Sequence, residues 1–537
     1  MTQPPVLPDR PEDEEWDVVV VGTGMGGGTA GFALAEKGLK VLFIEKGLYL
    51  FDDHDRGRGS IDEAPVEPHA RMSKGLWPAR LSGETTFGPI EFFGPLGCGT
   101  GGSSSLYASQ LERMRPADFE PRRNHPQATD ANLPERWPFS YEEMLPYYRR
   151  AEVLYDVCGT EDPLLPDPEA QLRPPPPMSE RDALVFDLAQ EAGLSPYRAH
   201  VGALFKEGCV GCGGALCPRD CKADSGRNGV LPALRHGARI LPQTEVLHFE
   251  GSKDRVERVI CRRGEKTLRI SARGFVLAAG AYMSPVILLR SRSPHWANGL
   301  ANGSDQVGRN LMMHASDQIA VRPPKKLPAD GPQKAISTNY FYLKNGQKLG
   351  NLQSMGVPIG SGVISEFLRQ KAEKERSWYL QLGKVGRKVA SKVGAALFSQ
   401  AVLMASIVED LPYLQNRVTL DDRSPDGRRF DYTYPDELGR RSKLMVSETK
   451  KALEKHMVTQ VLSNENNLNW GHPCGTCRAG EDPATSVVDA VGRAHEVENL
   501  WVADSSFFPS SGGINPSLTI AANALRVAEA AARDLGR

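Results

Sequence analysis

The chain lacks the features that would place it in a membrane or outside the cell. No uninterrupted apolar run reaches the roughly 20 residues that a helical membrane span needs. The opening stretch, Met1-Thr-Gln-Pro-Pro-Val-Leu-Pro8, has no basic segment followed by an apolar one, so no secretory leader is read there. Cysteine is sparse, nine in 537 residues. That argues against a disulfide scaffold and sets the expectation of a reducing compartment and a cytoplasmic location. Neither sign of charge dominates, since 65 Lys and Arg stand against 66 Asp and Glu. The balance gives no electrostatic argument for a nucleic-acid or acidic partner. No internal repeat is present. What is there, 40% hydrophobic residues over this length, suffices to bury a large core in two or more lobes.

Near the N-terminus, Asp17 is followed by four valines, Val18 to Val21, which read as a buried parallel strand. Gly22-x-Gly24-x-x-Gly27 comes next, and the stretch from Gly28 to Lys37 reads as a helix. Gly22 permits the tight turn, Gly24 lets backbone approach phosphate, and Gly27 lets helix and strand pack closely. The helix N-terminus then offers free N–H groups to a pyrophosphate. Val41 to Ile44 is the second strand, and Glu45 at its end is placed to accept hydrogen bonds from a ribose. Strand, glycines, helix, strand and acid in this order point to a dinucleotide. They do not separate FAD from NAD.

The C-terminal end carries a second constellation: His472-Pro-Cys-Gly-Thr-Cys-Arg-Ala-Gly480, then Asn499-Leu-Trp-Val-Ala-Asp504 and Gly513-Ile-Asn-Pro-Ser-Leu-Thr-Ile520. Together with the N-terminal unit, three further blocks complete a pattern. They are Gly97-Cys-Gly-Thr-Gly-Gly-Ser-Ser-Ser-Leu-Tyr107, Gly280-Ala-Tyr-Met-Ser-Pro-Val-Ile-Leu-Leu289 and Val307-Gly-Arg-Asn-Leu-Met-Met-His314. In order and spacing the five blocks resemble the glucose–methanol–choline (GMC) oxidoreductases, from residue 16 to the end.

The resemblance implies FAD as cofactor. It sets the 97–107 loop beside the flavin, with Gly101 and Gly102 allowing close approach and Ser103 and Ser104 donating hydrogen bonds. It makes Arg239-Ile-Leu-Pro-Gln-Thr-Glu-Val246 a strand whose Val246 backbone meets the adenine, and sets Asp504 beside the pyrophosphate and ribityl chain. Members with covalent flavin often carry a histidine where this chain has Leu106, so the flavin is expected to be dissociable. Several sugar-oxidising members carry an aromatic residue at the position of Tyr107, which serves equally as a packing residue or a substrate contact.

The resemblance also identifies His472 with the family's base and Asn515 with the partner that binds the substrate oxygen. The chemistry suits them. Alcohol oxidation removes a hydroxyl proton and a hydride from one carbon, and a neutral imidazole is a fitting proton acceptor near pH 7. An amide donates to the oxygen without competing for the proton. His314 and His495 are read as structural.

Cys209, Cys212, Cys217 and Cys221 form a C-x2-C-x4-C-x3-C run. Four thiols so spaced suit an iron–sulfur cluster or zinc, and some FAD sugar dehydrogenases of the family carry a cluster in this region. The spacing here departs from theirs, and a metal-free thiol or disulfide loop is the preferred reading. Elsewhere, Trp137 to Tyr155 reads as a helix with Ser140 and Glu143 as its capping box. Asp162 to Met178 reads as a proline-rich surface loop. The apolar run Val393 to Val408, behind the basic stretch Lys384 to Lys392, is assigned to the core rather than to a membrane-surface helix.

The expected fold is α/β, a Rossmann-type FAD-binding lobe with a discontinuous α+β substrate lobe built on an antiparallel sheet. The FAD lobe is expected from 14–110, 201–315 and 470–537, and the substrate lobe from 111–200 and 316–469. The expected reaction is FAD-dependent oxidation of a CH–OH group of a sugar, glycoside or polyol. A hydrophobic secondary alcohol such as a sterol, an electron-transfer flavoprotein subunit with an iron–sulfur cluster, and a silent flavin binder are the rivals. No motif assigns the electron acceptor among O2, a quinone and a redox protein.

Overall fold

The computed structural model describes residues 7–537 except 9, 52–63, 210, 323–333, 345, 357–383, 399–400, 456–457 and 463–467. It opens with β1 (Trp16–Val21), α1 (Met25–Glu36) and β2 (Val41–Ile44). The four valines are buried, as a strand covered on both faces requires. Helix α1 starts at Met25, earlier than its glycines suggest. Glycine costs a helix about 1 kcal/mol relative to alanine, but here close packing demands it. A Cβ on Gly26 would lie 1.9 Å from the Ala503 carbonyl oxygen, and one on Gly27 would lie 2.1 Å from that of Gly22. Tertiary contact overrides propensity.

Helix α2 (Tyr141–Leu154) carries the expected capping box. Ser140 Oγ accepts from Glu143 N at 3.2 Å, and the Glu143 carboxylate accepts from Ser140 N at 2.7 Å. The residues from Asp162 to Met178 form no long element. The expected single strand over 239–246 is two strands, β3 (Arg239–Leu241) and β4 (Glu245–Gly251). Gln243 breaks it, adopting φ +53° while its N–H donates to Gly47 O at 2.8 Å. β5 (Val256–Arg263) and β6 (Lys266–Leu277) follow. The C-terminal part adds β7 (Gln318–Val321), β8 (Ile336–Thr338), β9 (Gly350–Ser354), α3 (Lys384–Phe398), β10 (Val402–Glu409), β11 (Val458–Leu462), β12 (Leu500–Val502) and α4 (Ser517–Asp534).

The first sheet is parallel through β3-β2-β1-β6-β12. The N-terminal half of β6 extends beyond β1 and pairs antiparallel with β5, which pairs with β4. Helices α1 and α4 pack together beside this sheet. The second sheet is antiparallel, in the order β11-β7-β10-β9-β8, with Tyr197–Arg198 beyond β8 and His314–Ala315 on β10. Each sheet has its own apolar cluster. The register places Gln318, Ala405 and Gln353 side by side across three strands.

The apolar run Val393 to Val408 divides. Its strand part, β10, is core, whereas α3 leaves Val385, Val389 and Val393 exposed at 78%, 56% and 54%, with Lys388 and Lys392 exposed beside them. The assignment of Val393 to the core is therefore corrected. Spaced four residues apart, the three valines share one face, and that face points to solvent. Residues 399–400 of the run lie outside the described residues.

Between the sheets sits a buried ion cluster. Lys348 pairs with Asp118 and with Glu409, the latter at 2.8 Å, and all three are inaccessible to solvent. His125 Nε2 lies 2.7 Å from the same Glu409 carboxylate. Burial alone would raise the Glu409 carboxyl, but Lys348 and His125 more than reverse this and keep it ionised. Asp118 also accepts from Tyr342 Oη at 2.6 Å, and that hydroxyl accepts from Gly513 N at 3.0 Å. The cluster thus props the loop that carries Asn515. Lys348→Met is expected to leave two buried carboxylates uncompensated and to lower stability by about 3–5 kcal/mol. Denaturant melts of the two proteins would measure it, and a loss below 1 kcal/mol would contradict it.

Candidate active site

A cavity of about 1000 Å3 opens where the carboxyl ends of the parallel strands meet the face of the second sheet. That is where ligands of open parallel sheets bind. One end is walled by Gly22 to Gly26, Gly102 to Ser104, Val246 and Ala278 to Ala281, and the other by the second sheet together with His472 and Asn515. The N-termini of α1 and α4 both reach the wall, through Met25 and Ser517, so unpaired N–H groups of two helices are available to an anionic or polar ligand.

The glycines serve separate ends. Gly22 turns at φ +92°, and Gly27 has no room for a side chain between helix and strand. A Cβ on Gly24 would meet no atom within 4 Å, so its backbone borders open cavity. Gly102 and Val246 lie on the wall, but Gly101 does not. A Cβ on Gly101 would instead face Asp224 and Gly226.

Glu45 lies at the end of β2 as expected, yet its carboxylate is occupied. One oxygen accepts from Gly47 N at 2.8 Å and Gly99 N at 3.1 Å. The other accepts from Thr23 N at 3.1 Å and Thr23 Oγ1 at 2.6 Å. Burial raises its pKa, although all four bonds favour the ionised form. Asp504 does the same work at the end of β12, accepting from Gly280 N at 2.8 Å, Ser284 Oγ at 2.5 Å and Ser506 N at 2.8 Å. Both acids hold loops in place.

In the 97–107 loop, Ser104 is used internally. It donates to Gly101 O at 2.6 Å and accepts from Ser225 N at 2.9 Å. Among the described residues Ser103 Oγ only accepts, from Gly97 N at 3.0 Å, which leaves its proton for a ligand. Leu106 packs with Leu50 and Leu216. Tyr107 lines the cavity with its ring while its hydroxyl donates to Ala223 O, so it contacts a substrate through the ring alone.

His472 and Asn515 both line the cavity. The imidazole is held well below its ordinary pKa by burial, by His314 and by Lys334. His472 Nδ1 lies 3.2 Å from His314 Nδ1 and 3.2 Å from the Asn469 amide nitrogen, whose carbonyl accepts from Gly471 N. His314 Nε2 lies 3.0 Å from Gly512 O, which can only accept, so that nitrogen carries the proton. Burial lowers the His314 pKa to about 4, so the ring is neutral and its Nδ1 is a bare acceptor facing His472. The structural reading of His314 was too narrow: it touches the candidate base directly. The Asn515 Oδ1 is buried with no partner among the described residues.

Sequence reasoning also missed the floor. Gln318, Gln353, Lys334 and Asn469 face this end of the cavity, and Gln353 Oε1, on a side chain only 3% exposed, has no partner among the described residues. Only the alternation along β7 and β9 signals that these positions share a face. The four clustered cysteines are free thiols in two neighbouring pairs, Cys212 with Cys217 and Cys209 with Cys221. Gly214, Ala215 and Leu216 between them form part of the cavity wall. Cys474, two residues from His472, is fully buried, which raises its thiol pKa.

Comparison with known proteins settles the family. GMC oxidoreductase models match residues 92–316 and 412–524, and an FAD-binding-domain model matches 17–69. Paromamine 6'-oxidase of Streptomyces fradiae is 32% identical over 98% of this chain and 93% of its own length. The chain belongs to the GMC oxidoreductase family. The fructose dehydrogenase large subunit of Gluconobacter japonicus is 26% identical over 97% of this chain and 98% of its own. Among solved structures, pyridoxine 4-oxidase from Mesorbium loti aligns with a TM-score of 0.63 at 19% identity, over 96% of this chain and 99% of that one. Formate oxidase aligns at 0.64 and 16%, over 98% and 100%.

FAD is the cofactor of this GMC oxidoreductase, and the described residues fit it. Two helix N-termini, the open backbone at Gly24 and the free Ser103 proton suit a pyrophosphate and polar ring edges. Because Leu106 cannot bond covalently to flavin, acid precipitation is expected to release yellow FAD into the supernatant. Flavin retained on the denatured chain would contradict this.

The two buried histidines make the fold sensitive to acid. Their folded pKa values lie below the ordinary 6.5, so the unfolded chain takes up protons first as pH falls. For His314, stability present above pH 6.5 is lost between there and about 4, at up to about 1.4 kcal/mol per pH unit, and His472 contributes in the same direction. Urea melts at pH 7 and pH 5 are expected to show the fall, and His314→Gln to remove its share. An unchanged pH slope in that variant would argue against a neutral, buried His314.

Proposed function

We propose that this GMC oxidoreductase oxidises a CH–OH group of a sugar, glycoside or related polyol to a carbonyl. The observation that carries the reading is the polar floor opposite His472. Gln353 keeps a buried carbonyl without a partner among the described residues beside Gln318, a pair suited to substrate hydroxyls and wasteful against a hydrocarbon. The sterol reading is disfavoured on the same ground. The names of paromamine 6'-oxidase and of the fructose dehydrogenase large subunit support a carbohydrate.

Bound FAD supplies the acceptor for the hydride that leaves the substrate carbon. His472 accepts the hydroxyl proton at Nε2. Its Nδ1 is turned away from the substrate, held between the Asn469 amide nitrogen and the bare nitrogen of His314, each at 3.2 Å. Asn515 donates an amide N–H to the substrate oxygen. Gly22, Gly24, Gly27, Gly102, Ser103, Val246 and Asp504 shape the cofactor cradle, the acid holding its loops. Glu45 accepts from the cradle's own backbone and reaches a ribose only by sharing those bonds. The division of the chain into FAD-lobe segments 14–110, 201–315 and 470–537 is supported by the origin of the parallel strands. The strand His314–Ala315 belongs with the other sheet. No helix among the described residues is long and apolar enough to cross a membrane. A reducing, cytoplasmic setting is supported by nine free cysteines.

Anaerobic mixing with sugars and polyols, followed by flavin bleaching, tests the reading. His472→Ala is expected to bind FAD but to bleach on the order of 10²–10⁴-fold more slowly, and Asn515→Ala to lose less. Because the His472 pKa is depressed, bleaching by the native enzyme should stay fast below pH 6.5 and fall only in stronger acid, a limb absent from His472→Ala. Near-normal bleaching by His472→Ala would sink the proton-transfer role.

A further inference from the structure

The charges on the cavity wall are unevenly divided. Among the described residues its acids are Glu45, Glu245 and Asp504, all at the cofactor end and all engaged. Glu45 and Asp504 accept from the loops described above, and Glu245 pairs with Lys46 at 3.0 Å and with Arg262 at 2.5 Å. The basic groups there are engaged too. Lys46 has Glu245, Arg428 lies 2.9 Å from Asp426, Arg71 donates to the carbonyls of Trp77 and Pro65, and Lys74 also has a partner.

Lys334 differs. It stands at the entry to β8, beside the end of β9, where Ala335 N and Ile336 N both donate to Ser354 Oγ at 3.0 Å. Its side chain lines the cavity at the substrate end, near enough to His472 for its field to depress that imidazole. It makes no hydrogen bond or ion pair among the described residues. The acid whose field reaches it, Glu112, is already bonded to Gln110, Tyr197 and His200 N. A cation partly withdrawn from water with no counter-charge among the described residues is costly, and burial accordingly lowers the Lys334 pKa to about 8. An anion placed against it would restore the ammonium and gain a charge-assisted hydrogen bond.

Building on the carbohydrate reading, we propose that the substrate carries a carboxylate which pairs with Lys334, making it a sugar acid or a glycoside of one. A single ammonium flanked by the neutral amides of Gln318 and Gln353 matches a monoanion. A phosphate dianion would call for further cationic donors, and the described wall has none at this end. An amino sugar fits worst, because its ammonium would meet Lys334 with no carboxylate among the described residues of this end of the wall. The pocket of this chain thus departs from what the name of its 32%-identical relative, paromamine 6'-oxidase, would suggest.

The test compares matched substrates on the holoenzyme by anaerobic flavin bleaching: glucose with glucuronate, galactose with galacturonate, and glucose 6-phosphate and glucosamine as the phosphate and cationic arms. Perturbation of the oxidised flavin spectrum gives a binding constant for each. The uronates are expected to be preferred over their neutral partners by about tenfold or more, the scale of one charge-assisted hydrogen bond. In Lys334→Met and Lys334→Gln that ratio should fall close to one, and in Lys334→Glu glucosamine should overtake the uronate. Equal or better use of the neutral sugars, of glucosamine or of the phosphate by the native enzyme would overturn the carboxylate proposal and leave the carbohydrate reading standing. A uronate preference that survives Lys334→Met would overturn the role of Lys334. If no carbohydrate bleaches the flavin while a hydrophobic alcohol does, both readings fall.

Discussion

Two buried carboxylates hold the cofactor end together. Glu45 and Asp504 stand at the carboxyl ends of β2 and β12, where strands stop and backbone N–H groups of glycine-rich loops are left to be satisfied. Each acid gathers donors from distant parts of the chain. Glu45 joins the turn at Thr23, the start of the segment after β2, and the loop at Gly99. Asp504 joins Gly280, Ser284 and Ser506. Burying a carboxylate is unfavourable unless nearly every lone pair is used, and here they are used by backbone N–H groups together with the hydroxyls of Thr23 and Ser284. The loops are therefore fixed in position.

The substrate end rests on a different device. Lys348, Asp118, Glu409 and His125 form a charged core between the sheets, and Tyr342 passes its influence to Gly513 by a single hydroxyl. Gly512 O accepts a hydrogen bond from His314 Nε2, and His314 abuts His472. One short loop, 510–515, consequently positions both members of the candidate catalytic pair. A buried ion cluster is weak evidence of net stability, so its value here is better sought in geometry. It holds Asn515 and His472 at one end of a cavity whose other end is shaped by the parallel sheet.

The two ends also differ in their relation to the family. The cradle is built mostly from backbone and small residues, which tolerate little variation, because a Cβ on Gly22, Gly26 or Gly27 would collide with main chain. The floor is built from side chains on β7, β9 and the entry to β8, where a substitution changes what is bound without disturbing a strand. Shared fold and cofactor with a different substrate wall is the expected outcome of that division.

Much of the cofactor end was legible because its signals are local. Four valines, a glycine turn, a helix and an acid lie within thirty residues, each read from steric rules that act between near neighbours. The capping box at Ser140 and Glu143 is local in the same way, and His472 and Asn515 were found through a resemblance carried by short motifs. What failed was set by contacts between distant residues. Helix α1 begins at Met25 and tolerates glycine in its first turn, where Ala503, nearly five hundred residues on, leaves no room for a side chain at Gly26. The strand over 239–246 breaks because Gln243 binds Gly47. Val393 is exposed although its composition reads as core, since nothing in a sequence states which face of a helix meets the protein. The contact of His314 with His472, the satisfied state of Glu45, and the solitary charge of Lys334 arise only when strands from separate stretches are brought to one cavity. The sequence by itself determined the elements, the cofactor and the chemistry. Tertiary structure alone decided which charges and lone pairs are left unpaired, because that depends on neighbours that the chain order does not reveal.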